Sequence, residues 1–353
     1  MPQALSKLED DDLYAEFNKM RIKHPHHEAA VATFEKLRRR KKAAPNAEQT
    51  AASLFAGSRS GKTTTVKWYI EKVVAADWLE FKSAKADRGA ELSVVEKLKL
   101  KPLSDIAELQ TFALFVELSG ATTVSGLISD FLEALGDPDP HGGTAKQRRF
   151  RVEKLLKERN YQIIFLDETQ HIKVQTFAGS ISRQEDASEV QNTLKRWVKR
   201  WPIVFVGTQH AENVVFEHQV YTRSISPIKF GPLHFGNPSD RKIFEQFCGR
   251  LSHKIVQHGI LPELPQILVE GDVPLCLNIA TKGRLGLVTV IVRMGLENMM
   301  QRGRLELERE DLARAVADYS VRIGICKTNP FTDIQISLPS VEEFQRDSNE
   351  LKL

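Results

Sequence analysis

The stretch Ala56-Gly57-Ser58-Arg59-Ser60-Gly61-Lys62-Thr63 combines the residue types needed to wrap a polyphosphate. Glycines let consecutive backbone N–H groups approach an anion that a Cβ would hold off. Lys62 supplies a mobile positive charge for β- and γ-phosphates, and Thr63 a hydroxyl for Mg2+. A helix starting at this point turns its positive end toward the anion. On this reading Gly57, Ser58, Arg59, Ser60, Gly61, Lys62, Thr63 and Thr64 bind the nucleotide. Ala56 stands where the stricter motif has a glycine.

Two further signatures fit hydrolysis. Ile163-Ile164-Phe165-Leu166-Asp167-Glu168 reads as a core strand that delivers two carboxylates to a sheet edge. Asp167 would hold Mg2+ through water and Glu168 would orient and polarise the attacking water. Ile203 to Gln209 is a second apolar strand with a small, polar end, where Thr208 can hydrogen-bond the γ-phosphate or that water. Arg223 is either an arginine finger for a neighbouring subunit's γ-phosphate or a surface arginine on a turn. Lys282 and Arg284 sit at a helix entrance from which either can reach back to the nucleotide. The polar Thr169-Gln170-His171 lines the same cleft, with His171 read as a structural hydrogen-bonding residue. His24-Pro25-His26-His27 is read as a surface turn, because Pro25 interrupts regular helical presentation.

Positioning these groups requires strands and helices in alternation. Ala52 to Phe55 precedes the phosphate loop as a short buried strand, and Thr64 to Ala76 follows it with Val66, Ile70, Val73 and Val74 at helical spacing. Residues 77–102 are charged, irregular and without an assigned fold. Phe112 to Leu118 is another strand, and Ala121-Thr122-Thr123 caps a helix carrying Leu127, Ile128, Phe131, Leu132 and Leu135. After the turn at Gly136-Asp137-Pro138, residues 144–160 form a strongly basic helix. Its cations are Lys146, Arg148, Arg149, Arg151, Lys154 and Lys157, and its buried side is Phe150, Val152, Leu155 and Leu156. Residues 177–188 read as a loop, 192–200 as a helix and 228–233 as a fifth strand. From Asn237 the pattern turns helical. The expected division is an N-terminal helical segment (1–45), an α/β nucleotide-binding core (46–236), a helical lid (237–325) and an extended or disordered tail (326–353).

A chain of 353 residues with 41% hydrophobic and 27% charged content has the composition of an ordinary globular protein. The net charge of +4 permits nucleic-acid binding without requiring it. The basic run from Lys36 to Lys42 is either a phosphate contact or a solvated helix face. Cys248, Cys276 and Cys326 are far apart and lack metal-ligand spacing, which suggests reduced thiols in the cytoplasm. No apolar run is long enough to span a bilayer, and the acidic N-terminus does not read as a signal peptide.

Together these motifs resemble an AAA+ P-loop NTPase: an α/β protein with a parallel sheet core and a small C-terminal all-helical lid domain. Within that superfamily the chain resembles the TniB/TnsC ATPases of Tn7-like transposition systems and, more distantly, MuB. The resemblance spans about residues 20 to 320. It is carried by Arg21-Ile22-Lys23-His24-Pro25, Gly57 to Thr65, Ile163 to Gln170, Ile203 to Thr208 and Gly283-Arg284-Leu285-Gly286. It implies an ATP- and Mg2+-dependent homo-oligomer, a ring or helical filament around double-stranded DNA, that presents this DNA to a transposase alongside target-selection proteins. Lys146, Arg148, Arg149 and Arg151, with Thr122, are the candidate DNA contacts; a solvated helix face is the other reading of the same cations. The alternatives are a nucleotide-switched signalling or loader ATPase without DNA contact, and a P-loop phosphotransferase.

Overall fold

The computed structural model describes residues 10–86, 90–120, 123–172, 181–209, 211, 225–333, 338 and 344, with backbone only at 10, 90, 91, 181–188 and 225. In chain order, α1 (Asp10–Lys19) and α2 (Pro25–Ala43) precede β1 (Ala51–Phe55). Helix α3 (Lys62–Tyr69) continues through a π-helical turn, Ile70–Val74, into α4 (Ala75–Lys85), followed by α5 (Ala90–Lys99) and α6 (Leu103–Leu109). Next come β2 (Ala113–Glu117), α7 (Val124–Ala134), α8 (Ala145–Glu158), β3 (Ile163–Asp167), α9 (Ile181–Arg200), β4 (Ile203–Gly207) and β5 (Ile225–Pro227). Helices α10 (Pro238–Gln257), α11 (Val273–Thr281), α12 (Leu285–Gln301) and α13 (Arg309–Val316) follow, the last continuing into a π-helical turn, Ala317–Val321.

Contacts divide the chain into two units. One comprises residues 26–56 and 62–230 and, among the described residues, is built on a five-stranded sheet in the order β2-β3-β4-β1-β5. All its pairings are parallel, with Leu166 opposite Phe205 and Leu54 opposite Val206. Apolar residues run without alternation through β3 and β4 because both faces of the sheet are covered. Ile164, Leu166, Ile203 and Phe205 pack on one face with side chains of α7, α8 and α9. Ile163, Phe165, Val204 and Val206 pack on the other with those of α2, α3 and α6. Parallel pairing brings the C-terminal ends of β1, β3 and β4 to one edge of the sheet.

Local chemistry sets the helix ends. Thr123 caps α7 by accepting from the Gly126 N–H at 3.1 Å, and Thr144 with Gln147 forms a reciprocal capping box at the start of α8. Helix α2 is anchored by Phe34, edge-on to Phe165 and Tyr69, and by Arg38. Arg38 is 1% exposed and pairs with Glu35 and Asp77, so this member of the basic run is an interior group. Burial works against its charge, but Tyr69, Glu35 and Asp77 raise its pKa on balance.

The second unit comprises residues 1–25, 57–61 and 231–353. Asn237 caps α10 by accepting from the N–H groups of Ser239 and Asp240, with Pro238 in the first turn. Phe244, Phe247 and Leu251 of α10 share a core with Leu277, Val288, Ile291, Leu296, Leu312 and Val316, and Leu13 of α1 inserts there as well.

Several expectations need correction. Residues 181–188, expected as loop, belong to α9, and residues 177–180 of that expected loop lie outside the described residues. The fifth strand lies at 225–227; beyond it the Ile228 N–H still bonds the Ser53 carbonyl at 2.8 Å, but the strand pattern stops. Phe150 is 69% exposed and does not join the buried side of α8. Pro25 opens α2, and His24 and His27 are buried, edge-on to Phe247 and Trp68 respectively, in place of a surface turn. Phe331, assigned to the tail, is buried in the helical core beneath the Arg309 guanidinium. Among the described residues no single helix is long and apolar enough to cross a membrane; α11 and α12 pass such a test only as a bent pair, and both contribute to the buried core.

Candidate nucleotide site

Within the sheet unit, Asp167 ends β3 almost fully buried. Its Oδ2 accepts the Thr63 hydroxyl at 2.7 Å, although 104 positions separate the two in sequence. Its Oδ1 accepts the Glu168 N–H at 2.9 Å. Two hard oxygen ligands are therefore adjacent, which is the donor chemistry Mg2+ takes. Lys62 is buried and donates from Nζ to the Ala56 carbonyl at 2.8 Å.

Ala56 does not weaken this arrangement. Its side chain is fully buried in the sheet core, its N–H bonds the Gly207 carbonyl at 3.2 Å, and it is absent from the residues with positive φ. Glycine has no conformational advantage at a position with ordinary backbone geometry and an inward-facing methyl.

Glu168 adopts a left-handed backbone, φ 57°, and starts a short turn over Thr169–His171. Its carboxylate accepts a hydrogen bond from Gln170 Nε2. Gln170 Oε1 in turn accepts the Thr208 N–H at 3.1 Å. Thr169 fixes the turn to the sheet by donating from its hydroxyl to the Val206 carbonyl at 2.8 Å. Gly207 leaves space for this crossing: a Cβ there would lie 2.5 Å from Thr169 Oγ1 and 2.8 Å from Gln170 Oε1. The Thr208 hydroxyl is buried without a hydrogen-bond partner among the described residues. An unsatisfied hydroxyl at the sheet edge fits a position reserved for a bound oxyanion.

Within the other unit, the loop residues 57–61 lie against the start of α12. The Ser60 hydroxyl donates to the Gly57 carbonyl at 2.7 Å. A Cβ on Gly286 would lie 2.1 Å from the Arg59 carbonyl oxygen, so only glycine permits this approach. The Arg284 guanidinium lies beside Gly57 and is 2% exposed, and burial lowers its pKa. Arg59 is exposed and stands over the Tyr319 ring at 5.7 Å. Ser58 is half-buried and Thr64 exposed.

The candidate DNA contacts separate. Lys146 is exposed and Arg149 half-buried on α8. Arg148 points inward: it is 8% exposed and donates to the hydroxyls of Ser129, at 2.7 Å, and Ser125. Arg151 pairs with Asp137 at 3.2 Å and donates to the carbonyls of Asp139 and Gly142. Arg223 and Thr122 lie outside the described residues. Gln170 was legible as a cleft residue, but its link to Thr208 was not, because a bond across two strand ends has no sequence spacing. No group of three or more metal-ligating side chains occurs among the described residues.

A parallel sheet ordered β2-β3-β4-β1-β5, with a phosphate loop after β1, paired acids after β3, a polar end to β4 and a helical C-terminal region, is the AAA+ P-loop NTPase fold. The family described as AAA domain matches residues 46–215. Among solved structures the chain is similar to the ORC2 protein of Aeropyrum pernix in its ADPNP–ADP complexes, with 16% identity and a TM-score of 0.52 over 86% of this chain and 71% of that one. It is also similar to the Aeropyrum pernix ORC1 protein in complex with DNA, with 18% identity and a TM-score of 0.53 over 86% of this chain and 68% of that one. No curated protein matches the chain significantly.

Proposed function

We propose that the protein is an ATP-hydrolysing, DNA-binding AAA+ regulator of DNA transposition that oligomerises on double-stranded target DNA and recruits or activates a transposase. The observation that carries the nucleotide chemistry is the meeting of Thr63 and Asp167 at 2.7 Å beside Glu168. Lys62 neutralises the β- and γ-phosphates, and Thr63 and Asp167 would hold Mg2+. When bound, the ion would supply charge neutralisation for phosphoryl transfer to water. Glu168 receives the proton of the attacking water, and the Thr208 hydroxyl orients that water or the γ-phosphate. Arg223 reaches the γ-phosphate of a neighbouring copy, and Arg284 responds to the nucleotide held by the loop.

The DNA part of the reading is supported by the exposed face of α8, where Lys146, Lys154 and Lys157 surround Phe150 with Arg149 alongside. Contacts from such a face go mainly to phosphates and fall steeply with salt. The transposition role follows from the TniB/TnsC resemblance. Electron microscopy with a non-hydrolysable ATP analogue and duplex DNA tests the assembly on DNA: rings or filaments are expected, and monomers with analogue and DNA both present would overturn it.

A further inference from the structure

We propose that Gln170 is a positioning residue that ties the Glu168 carboxylate to the Thr208 backbone, so that strand β4 controls where the water-activating group sits. The inference rests on the hydrolytic reading above.

Three observations carry it. Gln170 uses both ends of one amide, donating from Nε2 to Glu168 and accepting the Thr208 N–H at 3.1 Å on Oε1. The adjacent Thr169 is clamped to the Val206 carbonyl at 2.8 Å, so the turn carrying Gln170 is fixed to the end of β4. The crossing also depends on the missing side chain of Gly207, where a Cβ would lie 2.8 Å from Gln170 Oε1.

A free glutamate has three rotatable side-chain bonds, and ordering them costs conformational entropy. A donated hydrogen bond restricts the carboxylate before any nucleotide arrives. The same amide makes the arrangement responsive. Thr208 contributes its N–H to Gln170 and keeps its hydroxyl unpartnered among the described residues. An oxyanion drawn to that hydroxyl would move the backbone that Gln170 holds, and Glu168 would follow. Glutamine suits this position because it has one donor and one acceptor group on a single planar head.

The test compares two variants in the full chain. Gln170→Ala removes both bonds. Turnover of ATP should fall about tenfold while KM stays within about twofold. Exchange of the Thr208 amide, followed by hydrogen–deuterium exchange without nucleotide, should accelerate about tenfold. Gln170→Glu retains an acceptor for Thr208 but loses the donor to Glu168. Its Thr208 amide should stay protected while turnover still falls, and as a near-isosteric change it carries the test if the alanine variant does not fold. In a Glu168→Gln background, Gln170→Ala should lower turnover no further. Unchanged turnover with either variant, or an undiminished loss in the Glu168→Gln background, would overturn the proposal. A wild-type chain that does not hydrolyse ATP would defeat the hydrolytic reading itself, while unchanged Thr208 exchange in Gln170→Ala would defeat the tie alone.

Discussion

Arg148 and Arg149 are sequence neighbours with opposite expected roles. Arg148→Ala deletes a donor to the Ser129 hydroxyl at 2.7 Å, a bond buried between α8 and α7, and a second donor to the partly exposed Ser125. A buried hydrogen bond from a charged group contributes about 1.5–3 kcal/mol, and the exposed one about 0.5 kcal/mol. Loss of stem packing adds to this, and release of the guanidinium from burial subtracts from it. The expected loss is about 2 kcal/mol. Arg149 is half-buried and has no hydrogen bond or ion pair among the described residues, so Arg149→Ala should change stability by less than about 0.5 kcal/mol. Urea unfolding followed by tryptophan fluorescence suits the comparison, because Trp68, Trp78, Trp197 and Trp201 all lie in the sheet unit with α7 and α8. Arg149→Ala should instead weaken duplex binding and lower the salt slope by about one. An Arg148→Ala chain as stable as wild type, with the salt slope lost there and retained in Arg149→Ala, would refute the division.

Three further outcomes are expected. Lys62→Ala should weaken nucleotide binding about a hundredfold, removing the thermal stabilisation that ATP gives the wild type; retained tight binding of a fluorescent ATP analogue would contradict its phosphate role. Glu168→Gln should bind ATP within about twofold of wild type yet hydrolyse it about a hundredfold more slowly, trapping oligomers on DNA, and unchanged phosphate release would remove Glu168 from its role. The thiols should resist alkylation at pH 8 until the chain unfolds. Burial pushes Cys248 up to about 12 and Cys276 and Cys326 up to about 11, from an ordinary value of 9.0. Because these folded values are raised, the stability tied to the protonated thiols is fully present below pH 9 and is lost as pH rises through about 11. Rapid reaction of the native chain with a thiol reagent would contradict this burial.

The phosphate loop, Asp167 and the apolar strands were readable because chemistry or double-sided burial dictates residue type over a few consecutive positions. The errors arose where long-range context decides. The first half of α9 carries Ser182, Gln184, Glu185 and Asp186, a polar composition that reads as loop. Strand β5 contains Pro227, which argues against a central strand; among the described residues β5 pairs only with β1, at the sheet edge, where a missing N–H is tolerated.

The buried arginines reveal a more useful rule. On α8, Arg148 lies four residues before Val152 and eight before Leu156, so helical spacing alone puts it on the core face. Phe150, two residues from Val152, lies nearly opposite and is 69% exposed. Arg38 repeats the pattern, four residues after Phe34 and beside Leu37 on the buried face of α2. Classifying residues by hydrophobicity sorted all three wrongly, whereas angular position sorts them correctly. The partners explain why the arginines can stay inside: two serine hydroxyls face Arg148, while Glu35 and Asp77 face Arg38. A dense basic run therefore measures DNA-binding potential only after residues at core spacing are removed. On α8 that leaves Lys146, Arg149, Lys154 and Lys157 as the cations to test against DNA, with Arg151 held by its own turn.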